Sequence, residues 1–404
     1  MASQSKHSKR WFIIGLFLVL CLSYAAYALT EPLAAAQSKI TFKYSRPALL
    51  TSLAWPNYGE AAVGALGSGV LATHGTTVPQ ATASIAKILT ALAVLKQEPL
   101  ALNQSGPLIT LNQADVDSYN KYLNEGGSVV RVAVGEQISE YEALEAMLMP
   151  SANNIAETLA RWAFGSIDAY NSYANSYAKT LGMINTTITD PSGYLGTTVS
   201  TPSDLVLMGE TALANPVIAQ IVGKTTAVIP IQGTIYNVNF LLGRDGIIGI
   251  KTGNNDQDQG CFLFAADQTI GSHPVTIVGL IMNGPNLVTT MDSAVPLINS
   301  TVAAFSNVNI IKAGFPVALY KTAWGAQSLA VAKSNFSILA WNGAVITASV
   351  NLQNQQPPLN AGSDIGSINI NYSTTGSTYS VPIVLQQRIN NPGLIWRFIH
   401  GLQN

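Results

Sequence analysis

The order of apolar and polar positions divides the chain into an apolar leader, a long mixed region and a final region of short apolar runs. Residues 11–29 are 19 residues without a charge, and a basic segment at residues 6–10 precedes them. This arrangement is typical of an export signal, and Ala26-Tyr27-Ala28 offers a small-x-small cleavage site. The run is also long enough to span a bilayer uncleaved. We therefore expect residues 1–29 to be a signal peptide or a single-pass signal anchor, and either one exports the rest of the chain.

The mixed region alternates apolar runs of strand length with segments of helical periodicity. Ser139-x-x-Glu142 forms a capping box ahead of one apolar run. The polar tract 254–259 separates two apolar runs and predicts neighbouring antiparallel strands. The predicted strands cover residues 61–66, 70–73, 247–250, 260–266 and 275–282, and the predicted helices cover about 84–96, 153–162 and 289–305. Helices and strands alternating in this irregular way predict an α+β fold, with helices packed against an antiparallel sheet.

Beyond residue 307 the pattern changes to short β-type runs separated by Gly, Pro and Asn turns. These runs are residues 316–320, 328–332, 345–352, 365–370 and 381–385. They predict a small all-β domain over residues 307–390 without catalytic candidates. In the tail, residues 391–404, several apolar side chains share one helical face: Leu394, Ile395, Phe398, Ile399 and Leu402. Such a tail would lie on a membrane surface or pack on the β domain.

Together these patterns predict five segments. The leader at 1–29 is followed by a linker at 30–50, a main folded domain at 51–306, the β domain at 307–390 and a candidate amphipathic tail at 391–404. A chain of 404 residues is long enough for two domains.

Composition excludes several classes of function. The net charge is −1 and no long basic run occurs, so we expect no electrostatic binding of nucleic acid. Cys21 lies in the leader and Cys261 in a later apolar run, which makes an intramolecular disulfide implausible. The four histidines are scattered: His7, His74, His273 and His400. Without a His, Cys and carboxylate cluster we expect no metal and no cofactor.

The predicted helix at 84–96 contains the strongest candidate chemistry. Lys87 is the only ionisable side chain between residues 82 and 95. A lysine in such an apolar helix is costly unless a neighbour uses it. Ser84 lies one turn before Lys87 on the same face, at the helix start, where free N–H groups stabilise negative charge. A desolvated lysine has a lowered pKa and can take a proton from a serine hydroxyl. This makes Ser84 a candidate nucleophile and Lys87 its general base.

Two further motifs raise the specificity of this pair. Ser-x-x-Lys alone is weak evidence, and a helix-capping serine with a snorkelling lysine explains it better than catalysis does. However, Ser151-Ala152-Asn153 follows 67 residues later at a predicted helix break. Lys251-Thr252-Gly253 follows after 100 more, at the end of an apolar strand. Each triplet is common by itself, but all three in this order and context are highly specific.

These motifs resemble those of the serine D-Ala-D-Ala carboxypeptidases, the low-molecular-weight penicillin-binding proteins of peptidase family S11. The likeness covers about residues 53–306 and includes Trp55-Pro56, Gly59-Glu60-Ala61-Ala62, Ala83 to Thr90, Gly127-Ser128, Asp190-Pro191-Ser192-Gly193, Asn237 to Leu242 and Gly249 to Gly253. The β domain is similar to the family's C-terminal domain, with lower specificity. The resemblance implies the penicillin-recognising fold, with a helical lobe beside the sheet, and makes residues 51–306 a serine DD-peptidase domain.

The resemblance also implies an activity, which is removal of the terminal D-Ala from peptidoglycan stem peptides through an acyl-enzyme at Ser84. Such enzymes act in cell-wall maturation and cell shape, and β-lactams inhibit them covalently. Lys87 would be the general base and Ser151 the proton relay to the leaving amine. Asn153 would bind the substrate backbone and orient Lys87.

The same resemblance assigns substrate-binding roles to the second lysine motif. Lys251 and Thr252 would hold the terminal carboxylate, and Lys251 would help to keep Lys87 neutral. Gly253 completes the motif. The backbone N–H groups of Ser84 and Asn254 would form the oxyanion hole. The expected location is the extracytoplasmic face of the membrane or the cell wall, with membrane contact through the leader, and through the tail if it lies on the surface.

Three features depart from the common family pattern, and three alternative functions are open. The loop after Asn254 is unusually rich in Asn, Gln and Asp. Asn154 stands where Asp is frequent, and Asn254 stands where His or Thr is common. A DD-endopeptidase of peptidoglycan crosslinks would use the same residues. A class A-type β-lactamase would need a separate glutamate, yet no glutamate occurs between Glu157 and Asp190. A catalytically silent wall-binding scaffold is disfavoured because Ser84, Lys87 and Lys251 are all present.

Overall fold

The structure, a computed structural model, describes residues 4–254 and 259–400. The chain divides into two compact units. The larger unit comprises Leu49–Ser306 and Leu339–Gly343. The smaller unit comprises Met1–Ala48, Asn307–Ile338 and Ala344–Asn404.

The described helices, in chain order, are α1 Gln4–Thr30, α2 Ala86–Gln97, α3 Gln113–Asn124, α4 Glu140–Leu148, α5 Asn153–Phe164, α6 Ile167–Thr180, α7 Pro202–Ala214, α8 Pro216–Val222, α9 Leu287–Asp292, α10 Ala294–Ala303 and α11 Leu394–His400. A 3₁₀ turn, Ala83–Ile85, directly precedes α2.

The described strands, in chain order, are β1 Gln37–Ile40, β2 Tyr44–Arg46, β3 Glu60–Ala65, β4 Gly69–His74, β5 Gln80–Ala81, β6 Leu108–Thr110, β7 Gln137–Ser139, β8 Val199–Ser200, β9 Thr226–Ile229, β10 Gly233–Tyr236, β11 Ile247–Asn254, β12 Gly260–Ile270, β13 His273–Gly284, β14 Phe305–Ile311, β15 Pro316–Lys321, β16 Gln327–Ala332, β17 Phe336–Trp341, β18 Ile346–Leu352, β19 Asp364–Tyr372 and β20 Ser377–Leu385.

An antiparallel sheet supports the larger unit, and over the described residues its strand order is β11-β12-β13-β3-β4. β11 pairs with β12 so that Lys251 lies opposite Leu263 and Gly253 opposite Cys261. The predicted antiparallel pairing of these two strands is therefore confirmed. β11 is an edge strand of this sheet, and its outer side has no strand neighbour among the described residues. The Lys-Thr-Gly segment thus lies at an open sheet edge.

Helix α2 is the buried centre of the larger unit. It packs against α4, α5, α6 and α7. Its apolar side chains, among them Ile88, Leu89 and Leu92, are buried in one cluster together with Ile85 of the preceding 3₁₀ turn. Burial of each such side chain contributes about 1.5–3 kcal/mol. The helix ends at Gln97 because residue Glu98 precedes Pro99, and proline disfavours helical geometry in the residue before it. This burial fixes the position of the 3₁₀ turn at the head of α2.

Local signals explain two further helix boundaries. The capping box predicted at Ser139 is confirmed, since its side chain accepts from the Glu142 N–H while Glu142 accepts from the Ser139 N–H. The helix predicted over 289–305 is instead two helices, α9 and α10, which meet at Ser293. Pro296 lacks the N–H that would bond back to the carbonyl of Asp292, so a continuous helix would lose a bond there.

The smaller unit contains an antiparallel sheet whose order, over the residues described, is β1-β15-β16-β20-β19-β18-β2. All five strands predicted beyond residue 307 occur here as β15, β16, β18, β19 and β20. The segment predicted as a linker, residues 30–50, contains two strands in the structure. Of these, β1 pairs with β15 and β2 pairs with β18. The segment at 37–46 is therefore part of the sheet.

The two terminal helices of the smaller unit contact each other. The Tyr24 hydroxyl of α1 donates a hydrogen bond to the Phe398 carbonyl of α11, and Arg397 donates to the Leu29 carbonyl over 2.7 Å. Trp396 also packs edge-on against Trp324 of the same unit. The side chains of Leu394, Ile395 and Ile399 remain exposed. Helix α1 is long and apolar enough to cross a bilayer, since the most apolar 18-residue window within Ser8–Thr30 has a mean hydropathy of 2.3.

Candidate active site

Ser84 and Lys87 meet at the head of α2. The Nζ atom of Lys87 lies 2.8 Å from Oγ of Ser84. The same Nζ lies 2.7 Å from Oδ1 of Asn153 and 2.9 Å from the carbonyl oxygen of Ser192. Both carbonyl oxygens can only accept hydrogen bonds, whereas a serine hydroxyl can donate or accept. A neutral amine has two N–H donors and one lone pair, so its two donors go to Asn153 and Ser192. Its lone pair then faces the hydroxyl of Ser84, as a proton acceptor requires.

The surroundings of Lys87 favour this neutral form. Lys87 is completely buried. Burial, followed by the charge of Lys251, holds the pKa of Lys87 well below its usual range, and the charge of Asp190 opposes the shift. Removing a lysine from water disfavours its charged form, and a nearby like charge does so again.

A compact loop positions the Ser192 carbonyl. The carboxylate of Asp190 accepts hydrogen bonds from the N–H and hydroxyl of Ser192, from the N–H of Tyr194 and from the hydroxyl of Thr198. The carbonyl of Pro191 accepts from the hydroxyl of Thr90, one turn beyond Lys87 on α2. The loop is therefore fastened to the helix that carries Lys87.

Ser151 and Asn153 lie at the break between α4 and α5, as the sequence predicted. The backbone N–H of Asn153 donates to the Ser128 carbonyl over 2.8 Å. Ser151 adopts a positive φ of 70°, a conformation uncommon for residues other than glycine. Its Oγ is buried and has no hydrogen-bond partner among the described residues. An unpartnered buried hydroxyl costs stability, so its presence beside a cavity indicates a functional role.

The end of β11 approaches the 3₁₀ turn closely. A Cβ atom on Gly253 would lie 3.1 Å from the Cβ of Ala83 and 3.2 Å from the backbone nitrogen of Ser84. Such contacts are tighter than most real Cβ contacts, which accounts for glycine at this position. The backbone of β11 at Gly253 therefore lies next to the backbone N–H of Ser84.

Lys251 is buried beneath this region. It is 2% exposed, and its Nζ donates to the Thr252 carbonyl over 2.9 Å. Burial lowers the pKa of Lys251 to about 7. A carboxylate placed next to it would stabilise its charged form.

A cavity of about 550 Å³ opens above these groups. It is lined by Ser84, Glu125, Gly126, Gly127, Ser128, Ser151, Asn153, Gly193, Tyr194, Val238, Thr252, Gly253, Asn254 and Leu287. Six of the eight residues predicted for the site line this cavity, and the other two, Lys87 and Lys251, are buried behind it. Over residues 4–254 and 259–400, no group of three His, Cys, Asp or Glu side chains could hold a metal ion.

Several residues next to the site had no role predicted from the sequence. The loop Asp190-Pro191-Ser192-Gly193 and the pair Gly127-Ser128 belonged to the family resemblance only. A Cβ on Gly193 would lie 1.9 Å from the Ala83 carbonyl oxygen, which no side chain could tolerate. An Asp-Pro-Ser-Gly turn is common in proteins, so only its contact with α2 reveals its function.

Two of the three departures from the family pattern, Asn154 and Asn254, differ in their surroundings, while residues 255–258 of the loop after Asn254 lie outside the described residues. Asn154 is fully buried and bonds twice to the backbone of Val130, accepting from the N–H and donating to the carbonyl. A carboxylate could not donate the second bond, so the amide fits this position. Asn254 instead lines the cavity at the end of β11.

Comparison with known proteins identifies similar sequences. A family model described as D-alanyl-D-alanine carboxypeptidase, Peptidase_S11, matches residues 62–285, which is more than half of the chain. The chain is 35% identical over 204 residues to the D-alanyl-D-alanine carboxypeptidase DacB2 of Mycobacterium tuberculosis, covering 49% of this chain and 66% of that protein. A Streptomyces D-alanyl-D-alanine carboxypeptidase is 28% identical over 247 residues, or 57% of this chain and 81% of that protein. A Pseudomonas aeruginosa D-alanyl-D-alanine endopeptidase is 29% identical over 205 residues, or 49% and 62%.

Solved structures of such proteins have a similar fold. The crystal structure of a D-alanyl-D-alanine carboxypeptidase from Mycobacterium tuberculosis matches with a TM-score of 0.53 and 30% identity, covering 64% of this chain and 94% of that one. A mutant form of the Streptomyces K15 DD-transpeptidase matches with a TM-score of 0.54 and 25% identity, covering 60% and 96%. The predicted α+β, penicillin-recognising fold is confirmed by these similarities.

Proposed function

Because the chain belongs to the D-alanyl-D-alanine carboxypeptidase family, peptidase S11, we propose that it removes the terminal D-alanine from peptidoglycan stem peptides. The observation that carries the proposal is the 2.8 Å contact between Oγ of Ser84 and Nζ of Lys87 at the edge of a polar cavity. Lys87 is buried and its pKa is depressed, which supports its use as a base.

In the first step, Oγ of Ser84 attacks the carbonyl carbon of the penultimate D-Ala while its proton moves to Nζ of Lys87. The carbonyl oxygen becomes an oxyanion that accepts from the backbone N–H groups of Ser84 and Asn254. Each donor of this kind contributes about 3 kcal/mol in related chemistry. The proximity of Gly253 to the Ser84 nitrogen supports this arrangement.

In the second step, the bond between the carbonyl carbon and the amide nitrogen breaks. The departing amine takes the proton that Lys87 accepted in the first step, relayed through Ser151, whose buried hydroxyl has no hydrogen-bond partner among the described residues. D-Ala leaves and Ser84 remains as an ester. Water then attacks the ester carbon and gives up a proton to Lys87. The ester bond to Ser84 breaks, that proton passes to Oγ of Ser84, and the peptide acid leaves.

Binding would use the open edge of the sheet. The stem peptide would add as a strand along residues 251–254, since β11 has no neighbour on its outer side among the described residues. Lys251 and Thr252 would hold the terminal carboxylate, and Asn153 would bind the peptide backbone. The buried charge of Lys251 also depresses the pKa of Lys87.

A crosslink endopeptidase is the second candidate, because three similar proteins are named D-alanyl-D-alanine endopeptidase. Mass spectrometry of purified muropeptides distinguishes the two activities. Loss of one alanine from monomers supports the carboxypeptidase, while conversion of dimers to monomers supports the endopeptidase. Unchanged muropeptides would contradict both.

A nitrocefin assay separates either activity from a β-lactamase. We expect penicillin to acylate Ser84 and to leave slowly, so nitrocefin turnover should be negligible. Rapid, repeated turnover of nitrocefin would contradict the proposal.

The proposed place of action is outside the cytoplasm. Helix α1 would serve as a signal peptide or anchor, and the exposed apolar side chains of α11, which contacts α1, would lie at the membrane surface. The five-segment layout, with a DD-peptidase domain at 51–306 and a β-rich domain at 307–390, is part of the same proposal. Protease accessibility of intact cells and spheroplasts would test this location.

A further inference from the structure

The substrate cavity has charges of opposite sign at different positions. Lys251 lies buried behind its wall. Among the described residues that line the cavity, Glu125 is the one whose side chain is charged at neutral pH. A ligand that binds along both positions would place its anion near Lys251 and a cation near Glu125.

The surroundings of Glu125 leave its carboxylate available. Among the described residues, this carboxylate has neither an ion pair nor a hydrogen-bond donor. Lys121, one turn earlier on α3, is the usual (i, i+4) partner. Lys121 instead lies 3.6 Å from Glu157 and 4.5 Å above the ring of Tyr122. Lys121 therefore interacts with Glu157 and Tyr122, and no ion pair joins it to Glu125 among the described residues.

The position of Glu125 in the chain also makes its negative charge unfavourable. It is the residue directly after α3, at the negative end of the helix dipole, where a carboxylate is disfavoured. Its backbone is nevertheless fixed, because its N–H bonds to the Lys121 carbonyl and its carbonyl accepts from the hydroxyl of Tyr194. A bound ammonium group would relieve the unfavourable charge.

We propose that Glu125 selects stem peptides whose third residue carries a side-chain ammonium group, an inference that rests on the proposed carboxypeptidase function. With the terminal carboxylate near Lys251, the third residue lies just before the reacting D-Ala, toward the cavity rim. A cavity of about 550 Å³ has room for more than two alanines. The long side chain of a lysine or a diamino acid would extend to Glu125.

The test uses two peptides that differ only in this charge. They are Nα-acetyl-L-Lys-D-Ala-D-Ala and its Nε-acetylated counterpart, assayed by release of D-Ala. We expect the full-length protein to hydrolyse the free-amine peptide with a kcat/KM about three- to fivefold higher, the effect of a partly exposed ion pair. The preference should shrink in about 0.5 M NaCl, because salt screens such a pair.

Substitutions test whether the carboxylate of Glu125 causes the preference for the free-amine peptide. In Glu125→Gln the ratio of the two kcat/KM values should fall to about 1, mainly through a higher KM for the free-amine peptide. Asp117→Asn is the matched control, since Asp117 is an exposed acid on α3, the helix that Glu125 follows, and lies outside the cavity lining. It should keep the parent ratio.

The outcomes separate this inference from the proposed function. Equal hydrolysis of the two peptides by the parent, or a ratio that persists in Glu125→Gln, would overturn the role of Glu125 and leave the carboxypeptidase intact. If neither peptide loses D-Ala and penicillin does not label Ser84, the proposed function itself fails.

Discussion

Gly253 and Ser84 lie so close that a single methyl group on Gly253 would come within 3.2 Å of the Ser84 backbone nitrogen. The end of an edge strand thus abuts the head of a buried helix. This contact brings together two motifs that are 169 residues apart in the chain, and it defines where a negatively charged oxygen could be held.

The first prediction concerns this contact. Gly253→Ala should slow penicillin acylation by about ten- to a hundredfold, because displacing the strand moves an oxyanion donor. The second-order rate constant of acylation measures the effect. Gly196→Ala, where an added Cβ would meet nothing within 4 Å, is the control and should keep the parent rate. A parent-like rate in Gly253→Ala would contradict the proposed oxyanion hole.

Ser151 allows activity to be separated from stability. Its buried hydroxyl has no partner among the described residues, so Ser151→Ala should leave the free energy of unfolding unchanged or raise it by up to about 1 kcal/mol. Turnover of the peptide should fall about a hundredfold as the proton relay is lost. Denaturant unfolding and D-Ala release measure the two effects.

Ser192→Ala is the comparison for Ser151, since its hydroxyl donates to Asp190 over 2.6 Å. It should destabilise the protein by about 1 kcal/mol. If Ser151→Ala lost as much stability as Ser192→Ala, or kept full turnover, the relay role would be wrong.

The pKa of Lys251 predicts a pH dependence of substrate binding. Burial lowers this pKa to about 7, so the free enzyme loses the Lys251 charge as pH rises through 7. The KM for a peptide with a free terminal carboxylate should therefore rise between about pH 7 and 9. In Lys251→Arg the charge persists over this range, and the KM should be nearly constant with pH. A flat KM profile in the parent would argue against Lys251 as the carboxylate anchor.

Glu140 predicts a pH dependence of stability that is unrelated to catalysis. It is fully buried, its carboxylate oxygens have no partner among the described residues, and burial together with Glu98 raises its pKa to about 7. The folded protein therefore binds this proton more tightly than the unfolded chain does. The associated stability is present below about pH 4.5 and is lost as pH rises to 7.

Glu140→Gln stays neutral at every pH and should be more stable than the parent at about pH 8 by about 1–3 kcal/mol, with a much smaller difference at about pH 5. Denaturant unfolding at both pH values is the measurement. Glu142→Gln on the same helix removes a carboxylate that caps Ser139, and should not stabilise the protein. A loss of stability in Glu140→Gln at the higher pH would show that the carboxylate has a partner.

Much of the site could be predicted because its residues occur in short motifs with a distinct local environment. A lone lysine in an apolar helix, one turn after a serine, becomes specific only together with the Ser-x-Asn and Lys-Thr-Gly motifs that follow in order. The Ser192 carbonyl could not be identified in this way, because a backbone atom leaves no signature in the sequence. The motif that contains Asp190 was visible in the sequence, but the hydrogen bonds by which its carboxylate holds the loop exist only in the folded chain.

The strands β1 and β2 were missed for a different reason. Their partners, β15 and β18, lie more than 270 residues later in the chain. All four residues of β1 are exposed, so no alternation of apolar and polar positions marks it. Pairing over such a distance is a property of the tertiary structure.

The most direct test of the central claim is labelling with a fluorescent penicillin. The parent should acquire one covalent label that survives denaturation, and Ser84→Ala should acquire none while unfolding at the same temperature. Ser176→Ala, which removes an exposed hydroxyl on α6, should be labelled as the parent is. Equal labelling of Ser84→Ala and the parent, or an unlabelled parent, would contradict the assignment of Ser84 as the nucleophile.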